Sequence, residues 1–140
     1  MSDCLTFEYQ VPGDDFTRAG EASSSVKNKL KLMGVDSGAI RRVAIAMYEG
    51  EINMVIHAGG GAIKVMVTDD NIRLILADTG PGIPDVEKAM QLGYSTAPEE
   101  VRSLGFGAGM GLPNMKKYSD SMQIDTEVGK GTTVTMDIHL

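Results

Sequence analysis

Residues 37–58 read SGAIRRVAIAMYEGEINMVIHA, and the folding of that stretch decides the rest of the chain. Ile40, Ala44, Met47 and Val55 recur at helical spacing. They predict one long helix with a core stripe, capped by Ser37 and followed by Gly59-Gly60-Gly61. Glu49, Asn53 and His57 are each four apart, so they stack on one face. That polar stripe lies beside Ile45, Ile52 and Ile56, where polar groups need partners or a wet cavity. A solvated face is the plainer alternative, but the helix is too apolar to favour it. A carboxylate and an amide one turn apart can hold a hydrated Mg²⁺ whose shell a phosphate completes. The carboxylate can also orient or deprotonate an attacking hydroxyl.

Outward from this helix, LTFEYQV (5–11) alternates like a strand. A turn at Pro12-Gly13 leads to a helix over 15–33, with Asp14 or Asp15 as its cap and Phe16, Ala19, Ala22, Val26, Leu30 and Met33 at its spacing. Downstream, residues 62–68 and 72–78 make a hairpin around Asp69-Asp70-Asn71. Pro84 opens a short helix to about Leu92. A polar stretch over 93–104 leads into a glycine-rich loop. Residues 111–118 look helical, and 122–128 and 132–139 form a last hairpin across Gly129-Lys130-Gly131. This order predicts a two-layer α/β sandwich: a mixed, largely antiparallel sheet with helices on one face.

Composition agrees with one domain over residues 1–140. The apolar fraction of 42% can build a core without being membrane-like. No apolar run approaches the roughly 18 residues of a spanning helix. MSDCLTFEYQ has no signal-peptide pattern, and the sole cysteine, Cys4, fits a reducing, cytoplasmic setting. A net charge of −6 argues against nucleic acid or an anionic membrane as partner. The ten methionines suit core gaps or an adaptable binding surface.

Three further stretches carry candidate chemistry. DTGPGI (78–83) ends a strand with Asp78 on the same face as Leu74 and Leu76. There a carboxylate can accept from a ligand amine, and Gly80 and Gly82 let the backbone come close. A plain strand-to-helix turn would use the same residues. GFGAGMGL (105–112) lacks the lysine of a Walker A loop and the preceding strand of a Rossmann loop. It leads directly into a helix, whose free N–H groups and dipole favour an anion. A linker would instead be followed by a second domain. Thr132 shares an inward face with Val134, Met136 and Ile138, as β-propensity alone would also arrange.

Together these sites read E-x-x-x-N on a helix, D-x-G-x-G after a strand, G-x-G-x-G before a helix and G-x-G-T opening a strand. The set resembles the N, G1, G2 and G3 boxes of the GHKL, or Bergerat-fold, ATPases over about residues 37–137. That group includes histidine-kinase catalytic domains, heat-shock-chaperone and mismatch-repair ATPases, and anti-sigma-factor serine kinases. YEGEINMVIHAGG and GAGMGLPNMKKYSDSMQIDTEVGKGTTV are most similar to the small anti-sigma-factor serine/threonine kinases, the stressosome-type switch kinases among them.

The resemblance implies a Bergerat ATP-binding fold, ATP or ADP with Mg²⁺ as cofactors, and residue roles. Glu49 would be the general base and Asn53 the Mg²⁺ ligand. Asp78 would bind the adenine amine, with Thr132 supporting it through water. Gly80, Gly82 and Ile83 would line the adenine pocket. Gly107, Ala108, Gly109 and Gly111, with Leu112 beside them, would embrace the phosphates. Residues 93–106 would form a lid, and Arg102 would reach the γ-phosphate or a partner unless it is a plain surface arginine. The implied activity is phosphorylation of an anti-sigma-antagonist-type protein. The alternative is a nucleotide-binding module that sequesters a sigma factor or other regulator. Members often dimerise through the sheet or first helices, so the resemblance leaves a homodimer and a monomer both open. Three features depart from the family pattern. Only one strand precedes the first helix, the lid is long, and Glu51 competes with Glu49 for the base role.

Overall fold

The computed structural model describes residues 4–13, 18–83, 85–90 and 111–140. Strand β1 (Leu5–Pro12) is followed by helices α1 (Glu21–Leu32) and α2 (Ser37–His57). Strands β2 (Gly60–Val67) and β3 (Asn71–Asp78) come next, then the one-turn α3 (Val86–Ala89). Helix α4 (Gly111–Tyr118) and strands β4 (Ser121–Glu127) and β5 (Gly131–His139) complete the chain. The sheet runs in the order β1-β2-β3-β5-β4. All four pairings are antiparallel, so no mixed pairing occurs among the described residues.

Alternation does the sorting. Ile63, Val65 and Val67 on β2, Ile72, Leu74 and Leu76 on β3, and Val134, Met136 and Ile138 on β5 are all buried. They face one way because successive side chains point to opposite sides of a sheet. Helices α1 and α2 cover that side and share its core. On the other side Arg73 pairs with Asp137 across β3 and β5 at 2.8 Å. The result is two layers, with helices on one face.

Helix α2 differs from expectation in two details. Its cap is Asp36 rather than Ser37. Asp36 has a non-helical backbone, and its carboxylate accepts from the N–H groups of Gly38 at 3.0 Å and Ala39 at 3.2 Å. Its apolar stripe is also wider. Ile40, Met47 and Val55 are buried as expected, Ala44 only half so, and Val43, Ala46 and Met54 join the core. The width follows from neighbours on several sides, because α2 packs on α1, α4 and the sheet. Where α2 touches β3, a Cβ on Gly50 would clash with Leu76 and lie 3.1 Å from Met115 Cε.

Helix α1 starts at Glu21, later than expected, because Gly20 sits in the left-handed region at φ 97°. The Asp14 or Asp15 cap and Phe16 lie outside the described residues. The stripe Ala22, Val26 and Leu30 is buried as its spacing predicts. Of the helix expected over 84–92, Val86–Ala89 is observed; Pro84 and Leu92 lie outside the described residues. Arg42 ties α2 to the α4–β4 turn through Asp120 at 3.0 Å and to the His139 carbonyl at 2.9 Å. No helix among the described residues is long and apolar enough to cross a membrane.

Candidate functional site

The two acids on α2 have different surroundings. Two positions along a helix are about 200° of rotation, so Glu49 and Glu51 diverge. Glu51 is 2% exposed. Its Oε2 accepts from the N–H groups of Gly20 at 2.9 Å and Ala22 at 3.2 Å, and its Oε1 from Ser23 at 3.1 Å. It is the cap that α1 lacks locally. Glu49 is half-buried and faces α4. Burial pushes its carboxyl pKa up, and a hydrogen bond from the Asn114 side chain partly offsets this. Glu51 is thus committed to α1, and Glu49 is the acid of the pair that faces α4, in surroundings that suit proton transfer.

One turn further on, Asn53 meets the first residue of α4. A Cβ on Gly111 would lie 2.8 Å from Asn53 Nδ2 and 2.9 Å from Oδ1. With glycine there, the N-terminus of α4 comes this near without displacing the Asn53 amide. The first-turn N–H groups of α4 and its positive dipole end therefore open beside Asn53. Asn53 Nδ2 also makes a long contact of 3.9 Å to Met115 Sδ. Leu112 packs against the core. His57 completes the stripe about 12 Å along α2 from Glu49, and burial lowers its pKa. Gly107, Ala108, Gly109, Arg102 and the lid over 93–106 lie outside the described residues.

The far end of α2 leads to the second half of the site. A Cβ on Gly80 would lie 2.7 Å from Ala58 Cα, so the DTGPGI turn rests directly on the helix end. Gly82 has φ +81° and sits against the Glu127 carbonyl, where a Cβ would approach to 2.6 Å. The Gly129 N–H donates to the Pro81 carbonyl at 2.8 Å. The Ile83 N–H donates to Thr126 Oγ1 at 2.8 Å. The turn is thus clamped between α2 and the β4–β5 hairpin.

Asp78 pairs in register with Thr132. Its Oδ1 accepts from the N–H groups of Gly80 at 2.9 Å and Thr132 at 3.2 Å. Oδ2 has no partner among the described residues, which fits a ligand amine as its donor. Glu49, Asn53, Asp78, Gly80, Gly82, Ile83, Gly111 and Thr132 thus line α2, the start of α4 and the ends of β3 and β5. Two participants were not singled out from the sequence. Thr126 is the register partner of Thr132 across the last hairpin, a signal that the turn length carries. Asn114 acts through the packing of α4 on α2 and has no local signal.

A family model described as histidine kinase-, DNA gyrase B-, and HSP90-like ATPase matches residues 38–140. The chain belongs to that family. The matched span of this GHKL protein takes in every candidate residue from Glu49 to Thr132. It is 35% identical to an anti-sigma F factor of Geobacillus kaustophilus, over 97% of this chain and 90% of that one. It is 31% identical to the serine/threonine-protein kinase RsbT of Bacillus subtilis, over 86% and 85% of the two chains. The solved RsbU and RsbW domains of a Mycobacterium tuberculosis protein superpose with a TM-score of 0.61 at 17% identity, a likeness of fold alone. That match covers 97% of this chain and 32% of the other.

Proposed function

We propose that the chain is a Mg-ATP-dependent serine/threonine protein kinase that regulates a sigma factor by phosphorylating a small anti-sigma-antagonist-type protein. The observation that carries this reading is the division of labour on α2. Glu51 is committed to capping α1, whereas Glu49 stands one turn from Asn53, facing α4. A protein that only binds nucleotide has no need of a raised carboxyl at that place.

In this reading the adenine amine donates to Asp78 Oδ2, with Thr132 supporting it through water. Gly80, Gly82 and Ile83 shape the base pocket. Asn53 holds Mg²⁺. Among the described residues no three His, Cys, Asp or Glu side chains cluster as a metal site, so phosphate oxygens and water would complete the shell. The amides of Gly107 to Gly111 and the N-terminus of α4 hold the phosphates. Bound Mg-ATP supplies the γ-phosphoryl group and the cation that neutralises charge on it. Glu49 takes the proton of the partner's hydroxyl. The partner is a protein rather than nucleic acid or membrane, in keeping with the net charge of −6, and the setting is the cytoplasm, in keeping with a single cysteine.

The name of the Geobacillus relative favours a second reading, in which the same nucleotide site gates sequestration of a sigma factor without significant catalysis. Incubation with γ-labelled Mg-ATP and a small antagonist-type protein tests the choice. Label on a partner serine supports the kinase. Label that stays in ATP while the chain binds a sigma factor supports sequestration.

Two variants test the ligand assignments. ADP at about a hundred times its Kd should stabilise the wild type by roughly 2.7 kcal/mol. For a domain of this size that raises Tm by roughly 5–11 °C. Asn53→Ala should remove the Mg²⁺-dependent part of that shift; a full shift in the variant would clear Asn53 of holding the cation. Asp78→Asn replaces acceptor capacity with an N–H₂ group and should weaken ADP binding by about tenfold or more. Unchanged affinity, read by calorimetry, would sink the role of Asp78.

A further inference from the structure

Helices α2 and α4 pack antiparallel, and their contacts run as a ladder. Gly111 lies against Asn53 and Met115 against Gly50, while Asp120, just past α4, holds Arg42 at 3.0 Å. As the numbers fall along α2 they rise along α4. Residues three and four apart share a helix face. Asn114 is three beyond Gly111, and Glu49 is four before Asn53, so the two form the next rung. There the Asn114 side chain hydrogen-bonds the Glu49 carboxyl.

Chemistry sets the direction of that bond. An ionised carboxylate only accepts, so the Asn114 N–H₂ group donates to it. A bond to the charged form favours that form, against the burial that opposes it. A donor at one carboxylate oxygen also steadies a flexible side chain and leaves the other oxygen open to take a proton. Asn114 belongs to the helix whose N-terminus opens beside Asn53. The proton acceptor is therefore tied to the same eight-residue element that meets the phosphates.

We infer that Asn114 is a positioning residue for phosphoryl transfer: from the helix that begins at the phosphate site, it anchors one oxygen of the Glu49 carboxylate and leaves the other for the partner's hydroxyl. The inference rests on the kinase reading given under Proposed function. It sets Asn114 apart from Asn53 and Gly111, which act on the nucleotide. Asn114 governs rate and leaves nucleotide affinity alone.

Steady-state transfer from γ-labelled Mg-ATP to the antagonist-type protein, with calorimetric titration of ADP, tests this on wild type, Asn114→Leu and Asn114→Gln. Leucine keeps the size without a donor, and glutamine keeps the donor. In Asn114→Leu, kcat should fall about tenfold, the effect of losing one charge-assisted hydrogen bond. KM for Mg-ATP and Kd for ADP should stay within about twofold of wild type. Asn114→Gln should recover most of the rate. A parallel loss of kcat and ADP affinity in Asn114→Leu would make Asn114 a mere spacer between the helices. That outcome, or an unchanged kcat, overturns the inference and leaves the kinase reading intact. A second readout needs no partner: the side-chain N–H₂ signal of Asn114 in an amide NMR spectrum, identified by its loss in Asn114→Leu, should move in Glu49→Ala. A signal that stays in place overturns the inference. If melting shows Asn114→Leu unfolded, Asn114→Ala removes the same donor and should show the same split between kcat and KM. Wild type that labels no partner overturns both the inference and the kinase reading.

Discussion

Glu49→Gln should lose phosphoryl transfer by a factor of about 10²–10⁴ while binding ADP as tightly as the wild type. Glutamine keeps the size of the side chain and its hydrogen-bonding reach towards Asn114, so α2 and α4 keep their contact. It cannot take a proton from a hydroxyl. Burial raises the Glu49 pKa, and the Asn114 hydrogen bond limits the rise. A base with a pKa nearer the working pH is the better proton acceptor, provided that it is still ionised. Transfer should therefore climb with pH through the raised Glu49 pKa, above the range of an ordinary glutamate. Steady-state rates across pH on both proteins check this. Full activity in Glu49→Gln would remove Glu49 from the chemistry. Lost ADP affinity in that variant would make it a binding residue instead.

Local periodicity made much of this site legible. Glu49, Asn53 and His57 follow from a helical spacing of four. The inward faces of Asp78 and Thr132 follow from strand alternation. Both patterns are properties of neighbouring residues, so a sequence carries them openly. What escaped depends on distant partners. The start of α1 is set by Gly20 together with an acid 28 to 31 residues away from the N–H groups it caps. No window around residue 20 contains that acid. Asp36 and Ser37 are both good caps, and the backbone turn at Asp36 settles which one serves. Pairing of β3 with β5 joins residues more than fifty apart, which made the sheet's full antiparallel character unreadable. Glu51 was visible only as a rival to Glu49. Its commitment to α1 emerges once the helices pack, because the rotation between neighbouring acids then acquires two different destinations.

That commitment has its own measurable consequence. Glu51→Ala should lower stability by about 3 kcal/mol or more, since it strands three buried or half-buried backbone donors. Among the described residues the N–H groups of Gly20, Ala22 and Ser23 have no other acceptor at the start of α1, and Ala22 and Ser23 are 6% and 5% exposed. The carboxylate also gains from the positive end of the α1 dipole. A drop in Tm of roughly 10 °C is expected. Glu51→Gln should fall between wild type and alanine, because its amide oxygen can still accept while its N–H₂ opposes one of the donors. Below the melting range, Glu51→Ala should retain ADP binding and transfer per folded molecule. An unchanged Tm would show that the cap contributes nothing to the fold. Transfer lost in the folded variant would return Glu51 to the chemistry and dissolve the assignment of Glu49. The two acids thus make opposite predictions in the same pair of assays. Changing Glu49 should cost rate without stability, and changing Glu51 should cost stability without rate.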